Sequence, residues 1–287
     1  MALFETSFFS ACYQRLVRMN VLLPVDLMLP PGTPVDRGPY KTLYLLHGYR
    51  GNCDDWLQNS QIREISELFG LAVVMPSGYN GFYVDQPRSG IRGSEFIGHE
   101  LVDFTRKMFP LSPKREDTII AGLSMGGWGA LYNSLKHGDV FGHSIAMSIP
   151  VNPVRYESEH EPADLRPEWH SGYFEALHGD LTKIHETDRN LALHAKMILD
   201  AGAPVTDLYM ACGYNDSLVP ENRELHEQLL SVGFPHVYEE GSGTHEWLFW
   251  DEFLRRGLAH VRGYMPEPLP HPFWVEKTDY AIEGGVS

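Results

Sequence analysis

The 287-residue chain has only three cysteines, Cys12, Cys53 and Cys212, widely separated and odd in number. No CxxC pair or Cys/His ligand spacing occurs, which speaks against a disulfide framework and a zinc site. Positive charge is also scarce. Twenty-three lysines and arginines stand against 38 acidic residues, for a formal net charge of −15. With no basic cluster anywhere, this balance argues against nucleic acid, anionic membrane surfaces and polyanionic substrates as main partners. No apolar run approaches the roughly 20 residues that a bilayer-spanning helix needs. The N-terminal stretch MALFETSFFSACYQRLVRMN lacks a basic head followed by a sustained apolar core. It is not read as a secretory signal, so a cytoplasmic location is expected. Internal repeats at periods of about 20 to 50 residues are absent as well.

What the chain does have is an apolar share of 43%, enough for a substantial core, in short runs separated by helical periods. Strands are expected at Leu22–Leu27, Thr42–Leu46, Ala72–Met75, Thr118–Ala121, Ser144–Ser148, Leu208–Ala211 and Val237–Glu239. Helices are expected at Asp55–Phe69, Glu95–Phe109, Met125–Lys136, Asn190–Ala201, Glu221–Val232 and Glu246–Tyr264. This alternation predicts an α/β fold in one domain over residues 1–264, a mostly parallel sheet with helices on both faces. Two stretches break the pattern. Residues 150–188 are polar, proline-bearing and aromatic, and read as a surface loop or as a lid or pocket wall. Residues 265–287 form a proline-rich tail.

Residues 122–131, GLSMGGWGAL, place one serine among four glycines between an expected strand and an expected helix. G-x-S-x-G in that context marks a turn so sharp that side chains two places either side of the serine would meet backbone. Gly122 and Gly126 remove the collision and hold the Ser124 hydroxyl above the carboxyl end of the sheet. A glycine-rich helix start that binds an anion or merely packs would explain the glycines but not the serine.

A serine hydroxyl needs a base, and the base needs an orienting acid. Asp216 follows the expected strand Leu208–Ala211, and His245 closes the glycine-rich loop GSGTH before the last helix. The order Ser124, Asp216, His245 is the one this architecture uses. Asp207 and His236 lie at the opposite strand ends, and His226 and His260 fall inside expected helices. The oxyanion formed during attack needs preorganised donors. The Met125 backbone N–H is one candidate. The Tyr49 N–H, in the loop LLHGYRG that holds His47, is the other.

The segments YLLHGYRGNCDDW, AVVMPSGYNGFYVD, AGLSMGGWGALY, CGYNDSL and GTHEWLFWDEFL resemble the putative-esterase family of α/β-hydrolases. That family includes esterase D (S-formylglutathione hydrolase), bacterial tributyrin esterases, and feruloyl and acetylxylan esterases; the pattern is most similar to the tributyrin-esterase branch. The resemblance runs from about residue 5 to residue 264. It implies the α/β-hydrolase fold, no metal or organic cofactor, and hydrolysis of short-chain acyl esters through an acyl-enzyme. The substrate would be a small ester, with an acylated sugar, a hydroxycinnamate ester or S-formylglutathione as alternatives. Cys53 resembles a cysteine in the corresponding loop of formylglutathione hydrolases, although a buried thiol without chemistry is the commoner case. Tyr79, Phe82, Tyr83 and Trp128 are aromatic candidates for substrate contact. A silent binding protein on the same fold is the non-enzymatic alternative. Self-association as a homo-oligomer is compatible with the sequence, which fixes no oligomeric state.

Overall fold

Short β-branched and aliphatic runs such as LYLL and AVVM suit strands buried on both sides, and they pair into one sheet. The computed structural model describes residues 1–26, 38–151 and 171–262. The strands are β1 (Ala2–Ser10), β2 (Arg15–Leu23), β3 (Thr42–Leu46), β4 (Ala72–Pro76), β5 (Thr118–Leu123), β6 (His143–Met147), β7 (Asp207–Gly213) and β8 (His236–Gly241). Their spatial order is β1-β2-β4-β3-β5-β6-β7-β8. From β4 to β8 every neighbouring pair is parallel, whereas β1 and β2 run antiparallel at one edge.

Period-two alternation divides the core. In β3, Tyr44 and Leu46 face one side while Leu43 and Leu45 face the other; Val74 and Val73 of β4 divide likewise. The first side is covered by the helix over Leu101–Met108 (α3), α4 (Met125–Lys136), α5 (Ser171–His178), α6 (Leu191–Asp200) and α7 (Val219–Ser231). The second is covered by α1 (Asp55–Asn59), α2 (Ile62–Phe69) and α8 (Trp247–Arg262). The fold is thus the α/β architecture that the alternation predicts.

Two expectations need correction. Of the strand expected at Leu22–Leu27, Leu22 and Leu23 end a longer strand, Arg15–Leu23, which pairs with Ala2–Ser10 in a hairpin that the pattern does not announce; residues 24–26 are not strand, and Leu27 lies outside the described residues. Its turn is held by a distant carboxylate: Glu100 accepts from the Ser10 hydroxyl and from the backbone N–H groups of Ala11 and Cys12. The helix expected over Asp55–Phe69 is two helices. Ser60, extended at φ −133°, donates its hydroxyl to Trp56 O and receives Ile62 N–H, so one side chain both ends α1 and opens α2.

In the region 150–188, residues 152–170 lie outside the described residues. The rest is no plain loop. Phe174, Leu177, Leu181 and Ile184 are buried in the first core, and the Tyr173 hydroxyl donates to Asn80 O. The tail beyond 262 lies outside the described residues.

Candidate active site

Four parallel strands, β5 to β8, lie side by side and end on the same edge, so the loops that follow them are neighbours. Ser124 follows β5 with φ +52° and ψ −122°, a backbone conformation that side-chain-bearing residues rarely adopt. The surroundings enforce it. A Cβ on Gly122 would lie 2.3 Å from Gly126 O, and one on Gly126 would lie 2.6 Å from both Leu46 O and His47 O. Alanine at either place would push β5, α4 and β3 apart. Ser124 N–H donates to Met147 O at 2.9 Å, which fixes the turn against β6. Met125 opens α4, where a helix N–H has no partner within the helix.

The loop after β3 is pressed against this turn. A Cβ on Gly48 would lie 3.7 Å from the Ser124 Cβ and 2.8 Å from the Leu123 side chain, so the loop runs close beside the serine. Tyr49 follows directly. His47 braces this loop from below. Its Nδ1–H donates to Gly48 O at 2.7 Å, and its Nε2 accepts Gly78 N–H at 2.8 Å. Burial holds the ring's pKa below its ordinary value and keeps it neutral. The Tyr83 hydroxyl donates to His47 O at 2.9 Å, and Asn80 Oδ1 accepts Arg50 N–H at 2.8 Å.

The acid and base loops meet beyond β7 and β8. Asn215 N–H donates to Gly243 O, and a Cβ on Gly213 would fall 2.5 Å from the same oxygen. Through this contact His245 Nδ1 reaches Asp216 Oδ2 at 2.9 Å. The Asp216 side chain is fully buried, whereas that of His245 is 37% exposed. Burial alone would raise the Asp216 pKa. The His245 ring, the Leu218 N–H at 2.9 Å and the Ser148 hydroxyl together hold it below its ordinary value. The carboxylate is therefore charged at neutral pH and fixes the Nδ1–H tautomer of the histidine. Among the described residues Ser124 Oγ makes no hydrogen bond, to His245 or to any other group. Catalytic hydrogen bonds commonly tighten only when substrate is bound.

The aromatic candidates separate by position. The Tyr79 hydroxyl donates to Leu16 O, and its ring lies under Arg15, turned toward the N-terminal hairpin. Tyr83 is buried against Gly129 beneath the His47 loop. Phe82 and Trp128 pack edge to face with each other and around His178, and Phe82 also meets Phe174. Tyr173 of α5 meets the Tyr49 ring, so aromatic side chains run from the His47 loop to Trp128. Cys53 is buried, and burial raises its thiol pKa. Among the described residues no group of three or more His, Cys, Asp or Glu side chains could hold a metal ion, and no helix is long and apolar enough to cross a membrane.

Sequence reasoning passed over Ser148 and Trp250. Ser148 sits just past β6 with φ +50°, its N–H on Ala211 O and its Oγ accepting from Trp250 Nε1 at 3.1 Å. The Trp250 ring stands perpendicular to the His245 ring, centroids 4.9 Å apart. Nothing in MSIP marked Ser148, because its contacts come from β7 and α8. Trp250 lies in the motif that carries His245, five residues beyond it.

Known proteins are similar to this chain in sequence and fold. Residues 17–261 match the family described as Putative esterase. An acetyl esterase of Caldicellulosiruptor saccharolyticus is 40% identical over 260 residues, covering 88% of this chain and 96% of that protein. Two solved structures from Staphylococcus aureus, the fluorophosphonate-binding serine hydrolase F and an S-formylglutathione hydrolase, are each 26% identical with a TM-score of 0.76. Each comparison covers 91% of this chain and 98% of the other. The chain belongs to the putative-esterase family and is an esterase of the α/β-hydrolase fold.

Proposed function

We propose that this member of the putative-esterase family is a serine carboxylesterase that cleaves short-chain acyl esters through an acyl-enzyme. The observation that carries the reading is the 2.9 Å bond from His245 Nδ1 to the buried Asp216, on loops beside the strained Ser124 turn. With Nδ1 committed to Asp216, Nε2 is the ring nitrogen left to take the Ser124 proton. Ser124 Oγ then attacks the ester carbonyl, and the oxyanion meets the N–H groups of Met125 and Tyr49. The imidazolium, stabilised by Asp216, gives its proton to the leaving alcohol. Neutral His245 next draws a proton from water, which attacks the acyl-enzyme; collapse returns the proton to Ser124 and releases the acid.

The short-chain preference is supported by the 40% identical acetyl esterase. A thioesterase reading gains nothing from Cys53, which is buried with a raised pKa. The deciding experiment compares kcat/KM across p-nitrophenyl esters from acetate to decanoate, methyl hydroxycinnamates and S-formylglutathione. The highest values are expected between acetate and butyrate. A maximum at about ten carbons, or faster turnover of a hydroxycinnamate or of S-formylglutathione, would overturn the reading.

A further inference from the structure

We infer that the outer edge of β1 binds a second copy of this chain by antiparallel strand pairing, which joins two eight-stranded sheets into one. Among the described residues β1 has a ladder partner, β2, on one side only, and it ends the sheet. Its other side presents a row of backbone N–H and C=O groups that a further strand can use. Edge strands are ordinarily protected from such pairing. The opposite edge, β8, shows how: it has six residues, and Glu239 and Glu240 stand along it in ion pairs with Arg256 and Arg223. β1 has nine residues, ALFETSFFS, with no lysine, arginine or proline and a single carboxylate. Phe4, Phe9 and Leu16 are exposed on this hairpin. Phe9 and Leu16 are ladder partners, so together they form an apolar step on one face of the edge.

The sequence of β1 makes a second β1 the fitting occupant. A two-fold axis through one residue fixes the register, because facing side chains must share one side of the sheet. With the axis at Thr6, the whole strand pairs: Leu3 faces the partner's Phe9, Phe4 the partner's Phe8, and Glu5 the partner's Ser7. An axis at Glu5 would set carboxylate against carboxylate, and one at Ser7 would set each Glu5 against a phenylalanine. Of the registers that pair most of the strand, only the one at Thr6 matches apolar with apolar and the carboxylate with a hydroxyl. Charge agrees with it. The hairpin ladder puts Arg18 opposite Ser7, so Arg18, Ser7 and the partner's Glu5 fall in one row across three strands. Two strand spacings are about 9.6 Å, a gap that an arginine and a glutamate close over a small serine. The Arg18 side chain is exposed and free to turn that way, with Asp54 3.6 Å from its guanidinium. Symmetry makes two such ion pairs in the dimer.

The test measures the mass of the full chain in solution, with any tag at its C-terminus, by sedimentation velocity from about 1 to 50 μM. A dimer of about 65 kDa, twice the 32.5 kDa chain, is expected. Thr6→Lys sets two ammonium groups against each other at the axis. It should weaken association about a hundredfold, with circular dichroism and p-nitrophenyl acetate hydrolysis unchanged. Glu5→Arg should weaken it about tenfold, and Glu5→Arg combined with Arg18→Glu should restore it. Cysteine variants read the register directly. Thr6→Cys should form a covalent dimer on mild oxidation, because its two sulfurs meet at the axis. Leu3→Cys should not, since its counterpart lies at the far end of the partner strand. The native cysteines Cys12, Cys53 and Cys212 are buried and leave the readout clean. A monomer at about 50 μM overturns the inference, as does a dimer that Thr6→Lys leaves intact. So does a charge swap that restores nothing, or a dimer that cross-links through Leu3→Cys or fails to cross-link through Thr6→Cys. Should Thr6→Lys fail to fold, the two cysteine variants decide, since each alters one side chain by little.

Discussion

His47 and His245 both follow a strand and both sit beside Ser124's end of the sheet, yet the structure treats them oppositely. His47 is 1% exposed, with each ring nitrogen tied to backbone of a different loop. His245 has one nitrogen tied to a buried carboxylate and a side chain 37% exposed. The difference teaches what frees a histidine for chemistry: a partner on one nitrogen only, and an edge that substrate can reach. A histidine with both nitrogens occupied and no solvent contact becomes a strut.

The sharpest way to break the contrast is to remove the reactive members. Ser124→Ala and His245→Ala should each lower kcat by about four to six orders of magnitude with circular dichroism unchanged, and Asp216→Asn by about four. His47→Ala, by contrast, should leave a measurable enzyme.

Acid should expose the buried histidines as a class. Burial lowers the pKa of His137 to about 4, of His178 to about 3 and of His194 to about 4, and it lowers that of His47 too. Their folded pKa values lie below the unfolded value of about 6.5, so the unfolded chain binds protons that the folded one refuses. Stability is whole above pH 6.5 and falls as pH drops toward 4. For the three with numerical values the slope is on the order of 4 kcal/mol per pH unit. Urea unfolding between pH 7 and 4.5 measures it; a flat midpoint would show that these rings are protonated in the fold.

Smaller effects follow from the packing. Gly126→Ala puts a methyl 2.6 Å from two carbonyl oxygens, which should remove about 3 kcal/mol of stability and about a hundredfold in kcat/KM. For His47→Ala, which strands Gly48 O and Gly78 N–H, the expected loss is about 1–2 kcal/mol with a pH–rate limb unmoved. Thermal melts and pH profiles check both. The least effect is expected at Cys53: treatment of the folded enzyme with iodoacetamide should leave ester hydrolysis within about twofold of untreated protein.

The parallel core and the three site motifs were legible because their signals are local. Apolar runs such as LYLL and TIIAGL mark strands, and glycines at 122 and 126 mark a turn that admits nothing larger. Where a distant side chain decides local structure, the sequence is silent. Glu100 stabilises the hairpin turn at 10–12, and Ser60 divides a helix whose apolar period continues across the break. Tyr79, Tyr83 and Trp128 stand near the motifs in the sequence. The directions of Tyr79 and Tyr83 depend on Leu16 O and His47 O, which no window around them contains. Ser148 escaped for the same reason.

The turn at Ser124 is closed by carbonyls from β3 on one side and by Met147 of β6 on the other, so neither a nascent β5 nor α4 can shape it alone. Parallel strands far apart in the chain must first find each other, and such non-local pairing is slow. During refolding from urea, helical signal should therefore return before ester hydrolysis does. The interval between the two would time the docking of β3 and β6 around the serine.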